Sequence, residues 1–209
     1  LDKPFVVQYA RYLGALVQGD MGRSYLQKTE VAELIRSRLP ATLLLMAGAI
    51  FCELVLGLTM GIIAALWRGR ALDQTLMVTS FVTVSAPQFV VSLLLLYVFA
   101  VKLGWFPIGG YGTFAHLVLP AVTLGILGSG WYSRMMRSSM IDVLRADYIR
   151  TARAKGLPER EVVFRHALKV AILPVISFLG PLAANLLTGS IVVESVFNIP
   201  GMGGFFVNS

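Results

Sequence analysis

Four long stretches of this chain are almost free of charge: Ala41 to Leu66, whose only charged residue is Glu53; Thr75 to Val101; Leu117 to Ser133; and Val170 to Val193. At about 1.5 Å rise per residue, roughly 20 apolar residues cross a hydrocarbon core. Most of the four exceed that length, and the third reaches it when extended back through Ala115 and His116. A soluble protein could hide one such helix in its core. With 56% of 209 residues apolar and only 14% charged, this chain lacks the polar surface to cover four. The expected fold class is therefore all-α, a polytopic membrane protein with spans at about 41–66, 75–101, 115–133 and 170–193. Cys52 lies inside a span and reads as a small apolar residue, so it says nothing of redox compartment. The chain opens on Leu1-Asp2 with neither a basic n-region nor a short apolar signal core, and it stops at Ser209 after a Gly-rich segment. We expect a fragment that lacks helices at both ends.

Sidedness follows from the 18 Lys and Arg, because positive loops near membrane-spanning ends stay cytoplasmic. Nine of them fall between Arg134 and Lys169, against four acidic residues, so the 134–169 loop is expected inside. Trp67 to Gln74, with Arg68 and Arg70, is then also inside, and Lys102 to His116 is outside. The alternation leaves 1–40 as an external amphipathic segment before the first span and 194–209 as an external segment after the last. No aromatic interleaving or reader motif accompanies the basic loop, which argues against nucleic-acid binding.

That loop is more than a topology signal. From Met140 to Gly156 it carries Ile141, Leu144, Tyr148, Ile149 and Ala152 at helical spacing, with Arg145, Arg150 and Arg153 interleaved. Gly156 ends the helix, Pro158 prevents its continuation, and Glu159 to Leu168 starts a second helix back toward the membrane. By residues alone, this could be an amphipathic helix on anionic lipid, a solvated connector, or a docking element for a cytoplasmic protein.

The wording of the loop, "YIRTARAKGL" followed by "RHALKVAILPV", resembles the cytoplasmic signature of ABC-importer permeases, most closely the dipeptide/oligopeptide/nickel branch. The usual Glu-Ala-Ala positions read Arg150-Thr151-Ala152 here, with the expected Gly156 following. The segments "GDMGRSY", "RLPATLLL", "LGWFPIGG" and "VVESVFNIPGMGG" extend the resemblance over nearly the whole chain. It implies a type I ABC-importer permease helix bundle in the bacterial inner membrane, with a cytoplasmic coupling helix seated in a cleft of the ATPase. Leu144, Tyr148, Ile149, Arg150, Thr151, Ala152, Arg153 and Gly156 would then form the coupling segment. It also implies a second homologous permease subunit, cytoplasmic ATP-binding subunits and an external solute-binding protein as partners. The cargo would be di- or oligopeptides, with nickel or another small solute as the alternative. A rival class, an ATP-independent channel or secondary transporter, often shows internal repeats, and none is visible here.

No Walker A loop occurs, so ATP hydrolysis is expected in a partner and not in this chain. His116 and His166 fall on opposite sides of the bilayer, and no nucleophile, acid and base converge; neither a catalytic site, a metal site nor a cofactor is expected. A transport path should appear as polar and helix-loosening residues within apolar spans. The candidates are Thr79, Thr83, Ser85, Pro87 and Gln88 in the second span, and Asn185 and Thr188 in the fourth, near Pro174, Pro181 and Ser190. Helix packing competes with this reading, since small residues admit close approach and hydroxyls can bond their own backbone; Gly57, Gly61 and Ala65 fit packing best. Glu53 is either half of a buried polar pair or a substrate contact.

Overall fold

A computed structural model describes residues 4–24, 27–189 and 191–204, with the backbone alone at 188 and 189. In chain order the helices are α1 Phe5–Val17, α2 Val31–Leu66, α3 Ala71–Ser85, α4 Gln88–Leu95 running into a π-helical turn Leu96–Lys102, and α5 Phe114–Leu144. They continue with α6 Asp147–Ala154, α7 Glu159–Glu161 running into a second π-helical segment Val162–Ala167, α8 Leu168–Ala171, α9 Leu173–Gly189 and α10 Ile191–Val196. The all-α expectation holds.

Among the described residues, only α2 and α5 are unbroken helices long and apolar enough to span a bilayer. The other two apolar stretches are bent pairs. Ala71–Ser85 and Gln88–Lys102 meet at 103°, and Glu159–Ala171 and Leu173–Leu187 at 44°. The first bend sits where a proline pushes its predecessor out of the α region: Ala86 is extended at φ −71, ψ 130, and Pro87 caps α4. The second lies just before Pro174, which occupies the first turn of α9, where a missing N–H leaves no hydrogen bond unmade.

α2 and α5 form the spine and run in the same direction. Gly48 abuts Ala121, Cys52 abuts Gly125, Gly57 faces Ser129 and Tyr132, and Gly61 faces Ser133 and Met136, so the two numberings climb together. A Cβ at Gly57 would stand 2.9 Å from the Ser129 carbonyl oxygen, and one at Gly61 would stand 2.6 Å from that of Ser133. The glycines let the two backbones touch, as in other membrane helix pairs. α3 returns antiparallel along α5, with Gly130 against Ser80, Thr83 and Val84 and with Arg137 against Asp73.

Two apolar clusters divide the bundle end from end. One joins Ala41, Leu45 and Ala49 of α2 to Leu119, Ala121 and Leu124 of α5, with Val193, Phe197 and Ile199. The other joins Tyr132, Met136 and Met140 to Ile149 and Ala152 of α6 and to Val162, Val163 and Ala167. Thus the 67–70 turn and the basic loop share one end, and the Gly109–Gly110 turn, bonded to Phe197 by the Gly110 N–H at 2.9 Å, lies at the other. Phe51, Val78, Val82, Leu93 and Leu94 turn outward. Apolar side chains facing out of a bundle suit lipid or another spanning subunit. No residue of α1 is buried.

Candidate functional site

At the basic end, α5 does not stop where hydropathy does. It runs on past Ser133 to Leu144 because its charges are satisfied sideways. Arg137 pairs with Asp73, and the Arg134 guanidinium lies 4.8 Å from the Phe81 ring centre and 4.7 Å from that of Trp131. The single helix expected from Met140 to Gly156 is therefore two: α5 ends, Ala146 adopts an extended conformation at φ −66, ψ 149, and α6 starts at Asp147. That corner folds α6 back onto α5.

The fold-back changes which face of α6 is free. Ile149 is fully buried and Ala152 nearly so, packed on Met136, Met140 and Val162 within the same chain. They face the chain's own core, so of the expected apolar contact edge of Leu144, Tyr148, Ile149 and Ala152 the structure leaves Tyr148 exposed. Leu144 is half-buried beside them. Arg153 stays exposed but is engaged along the loop. It donates to both carboxylate oxygens of Glu159, at 3.1 and 2.6 Å, and to the Leu144 carbonyl at 3.4 Å. Its guanidinium holds the Glu159 carboxyl below the usual range for a glutamate. The exposed residues of α6 are Asp147, Tyr148, Arg150, Thr151, Arg153 and Ala154, with Arg145 and Lys155 at the flanks.

Gly156 ends α6 in a left-handed conformation at φ +78. The Gly156 N–H bonds the Arg153 carbonyl at 2.9 Å and the Leu157 N–H reaches that of Ala152 at 3.4 Å. These are the two hydrogen bonds of a Schellman end, and Leu157 packs on the cluster beneath. Pro158 then caps α7. α6 is thus a two-turn helix whose C-terminal end is held by the Schellman bonds and the Arg153–Glu159 pair.

Within the bundle, the break at Ala86–Pro87 opens a cavity of about 290 Å³ whose lining includes Glu53, Gln88, Asn185, Gly128 and Trp131. A second cavity of about 300 Å³ shares Gly128, Trp131, Leu182 and Asn185 with it and adds Tyr132, Phe178 and Pro181. Of the expected path residues, the structure brings Gln88 and Asn185 together here. The others stand apart. Thr79 donates to the Thr75 carbonyl at 2.9 Å and Thr83 to that of Ser80 at 3.0 Å, so both hydroxyls serve their own helix. Ser85 and Pro87 are exposed beside the bend but line neither cavity. The side chain of Thr188, and Ser190 altogether, lie outside the described residues.

At the opposite end, Glu194 is a buried carboxylate with partners. The Thr42 hydroxyl donates to its Oε1 at 2.8 Å, the Gly203 N–H donates to its Oε2 at 2.7 Å, and the Met202 N–H donates to the Thr42 oxygen at 2.8 Å. Gly201 and Gly203 crowd that carboxylate, so "GMGG" is a close-packed turn. An open cleft of about 650 Å³ lies beside it, lined by residues that include Arg38, Tyr111 and Asn198. This latch was not legible beforehand, because nothing in the sequence links Thr42 to Glu194. Asp73–Arg137 was missed for the same reason.

Comparison with known proteins decides the family. The family model described as binding-protein-dependent transport system inner membrane component matches residues 57–209. The chain belongs to this family. The permease is 43% identical over its whole length to the oligopeptide transport system permease protein OppB of Escherichia coli (strain K12), covering 69% of that relative. It is also 43% identical to the oligopeptide transport system permease protein AppB of Bacillus subtilis (strain 168), covering 70% of it. A third relative, also at 43%, is the glutathione transport system permease protein GsiC of Salmonella paratyphi A (strain ATCC 9150 / SARB42), of which 68% is covered. The permease is thus a multi-pass inner-membrane transport subunit of an ABC importer and not itself an enzyme. Permeases of this kind work with an ATPase and a substrate-binding protein.

Proposed function

We propose that this permease carries di- or oligopeptides along a path formed with a second, similar permease subunit, and that ATPase subunits drive it by docking on the outward face of α6. The carrying observation for the cargo is the 43% identity, spread over the entire chain, to permeases named for oligopeptide and for glutathione transport. The docking role is supported by geometry. A rod with a buried inner face, a Schellman end and a bidentate Arg153–Glu159 clip moves as one piece with α5, so a push on Tyr148, Arg150 and Thr151 is passed to the spine. Arg145, Arg150 and Lys155 would complement an acidic rim on the partner. The open cleft beside Glu194 is on the expected external side, where a binding protein would deliver its load.

The test is uptake into proteoliposomes by the full-length permease assembled with its permease partner, ATPases and binding protein. ATP, but not a non-hydrolysable analogue, should drive accumulation of a labelled tripeptide. Uptake of nickel with no uptake of peptide would sink the peptide reading.

A further inference from the structure

Glu53 is only 2% exposed, and its Oε2 has no hydrogen-bond partner among the described residues. Its carboxyl sits directly over Gly128, in the space where any larger residue would carry its Cβ. A carboxylate in such surroundings is costly unless something completes its hydrogen bonding. Burial within the single chain leaves the cavity that Glu53 lines as the approach for such a partner. The polar side chains of that cavity are Glu53, Gln88 and Asn185; the rest of its lining is apolar or glycine, with Trp131.

We propose that Glu53, Gln88 and Asn185 form an intramembrane site for a primary ammonium group, and that its natural occupant is the free N-terminus of a peptide in transit. A primary ammonium brings one positive charge and three N–H donors to a cavity that holds one carboxylate, with the amide side chains of Gln88 and Asn185 in its lining. A single carboxylate neutralises a single positive charge, and the Trp131 ring adds an aromatic face that favours cations. A transition metal would instead want imidazole or thiolate ligands, and no group of three or more metal-ligating side chains occurs among the described residues. The identity of the occupant rests on the peptide reading above; the ammonium selectivity does not.

The experiment uses the assembled full-length transporter with Cys52→Ala and a reporter at Ala86→Cys, which lines the cavity without being one of its polar side chains. Labelling rates are measured with an aminoethyl and with a sulfonatoethyl methanethiosulfonate. With Glu53 present, the cationic reagent should be favoured, and Glu53→Gln should cut that preference by about tenfold, the effect of one nearby unit charge at an intermediate dielectric. The same preference with and without Glu53 would overturn the site. A second arm adds peptide during turnover. A free-amine tripeptide should slow labelling in the Glu53 protein, whereas its N-acetyl form should not; equal protection by both would overturn the role of the N-terminus while leaving peptide transport standing. Exchanging phosphatidylethanolamine for phosphatidylcholine tests a lipid amine as the occupant. Labelling that slows only in phosphatidylethanolamine, without peptide, would overturn the peptide as natural occupant.

Discussion

Arg137 donates through Nε and a terminal nitrogen to the two carboxylate oxygens of Asp73, at 2.6 and 2.7 Å, and so ties α5 to the start of α3. Asp73 also accepts from the Gly69 N–H at 2.9 Å, which brings the α2–α3 turn into the same knot. The Asp73 side chain is 5% exposed and that of Arg137 27%. Removal of either partner strands a charge in a confined place. Asp73→Ala or Arg137→Ala should each lower the stability of the purified protein in detergent by about 2–3 kcal/mol. Arg137→Lys keeps the charge but loses the two-pronged geometry, and should fall in between. A double-mutant cycle with coupling under about 0.5 kcal/mol would show the pair to be incidental.

The α2–α5 spine makes its own prediction. Gly57→Ala and Gly61→Ala place a methyl group against backbone atoms of α5, which cannot step aside as a flexible side chain would. Each should cost about 1–3 kcal/mol and reduce the amount of assembled transporter. Gly14→Ala, on exposed α1 with nothing within 4 Å, should be neutral in the same assays.

Gly156 tests backbone conformation in isolation, because a Cβ there meets nothing within 4 Å. The only cost of a side chain is holding φ at +78, about 1–2 kcal/mol for most residues and less for asparagine. Gly156→Asn should keep most transport. Gly156→Val should leave membrane insertion intact yet uncouple ATP hydrolysis from uptake, since a β-branched residue redirects the chain after α6. Wild-type uptake in the valine variant would separate the Schellman end from coupling.

Sidedness is checked with single cysteines in the full-length protein carrying Cys52→Ala. In intact cells, a cysteine at Thr113 should react with an impermeant thiol reagent, and one at Ser138 or Arg160 should be shielded. The structure adds a constraint: α2 and α5 run in the same direction, so the 67–70 turn must share the protection of Ser138. Labelling at 160 from outside would reverse the orientation.

The existence of the apolar helices was legible because transfer of charge into a bilayer is costly and leaves long uncharged runs. The break at Ala86–Pro87 was also legible, since proline acts on its neighbour locally. Helix ends were not. Hydropathy stops α5 near Ser133, whereas the helix continues to Leu144, because Arg134 stacks on Phe81 and Trp131 and Arg137 meets Asp73. Those contacts are tertiary and leave no local trace. The outward face of α6 was not legible for a related reason: Ile149 and Ala152 have the spacing of a docking stripe, but the corner at Ala146 turns that stripe onto the chain's own core. Polar residues in a span were similarly ambiguous. Thr79 and Thr83 bond their own helix, while Gln88 and Asn185 face shared space, and no periodicity distinguishes the two.

Whether α6 passes the work of an ATPase into the bundle through its outward face is decided by cross-linking in the assembled transporter. Thr151→Cys and Tyr148→Cys should each form disulfide cross-links to cysteines introduced in the ATPase subunit, with yields that change on ATP binding. Ile149→Cys, buried against Met136 and Met140, should form none. Cross-links from position 149 but not 151, or none from any position of α6, would show that the ATPase does not dock on this face.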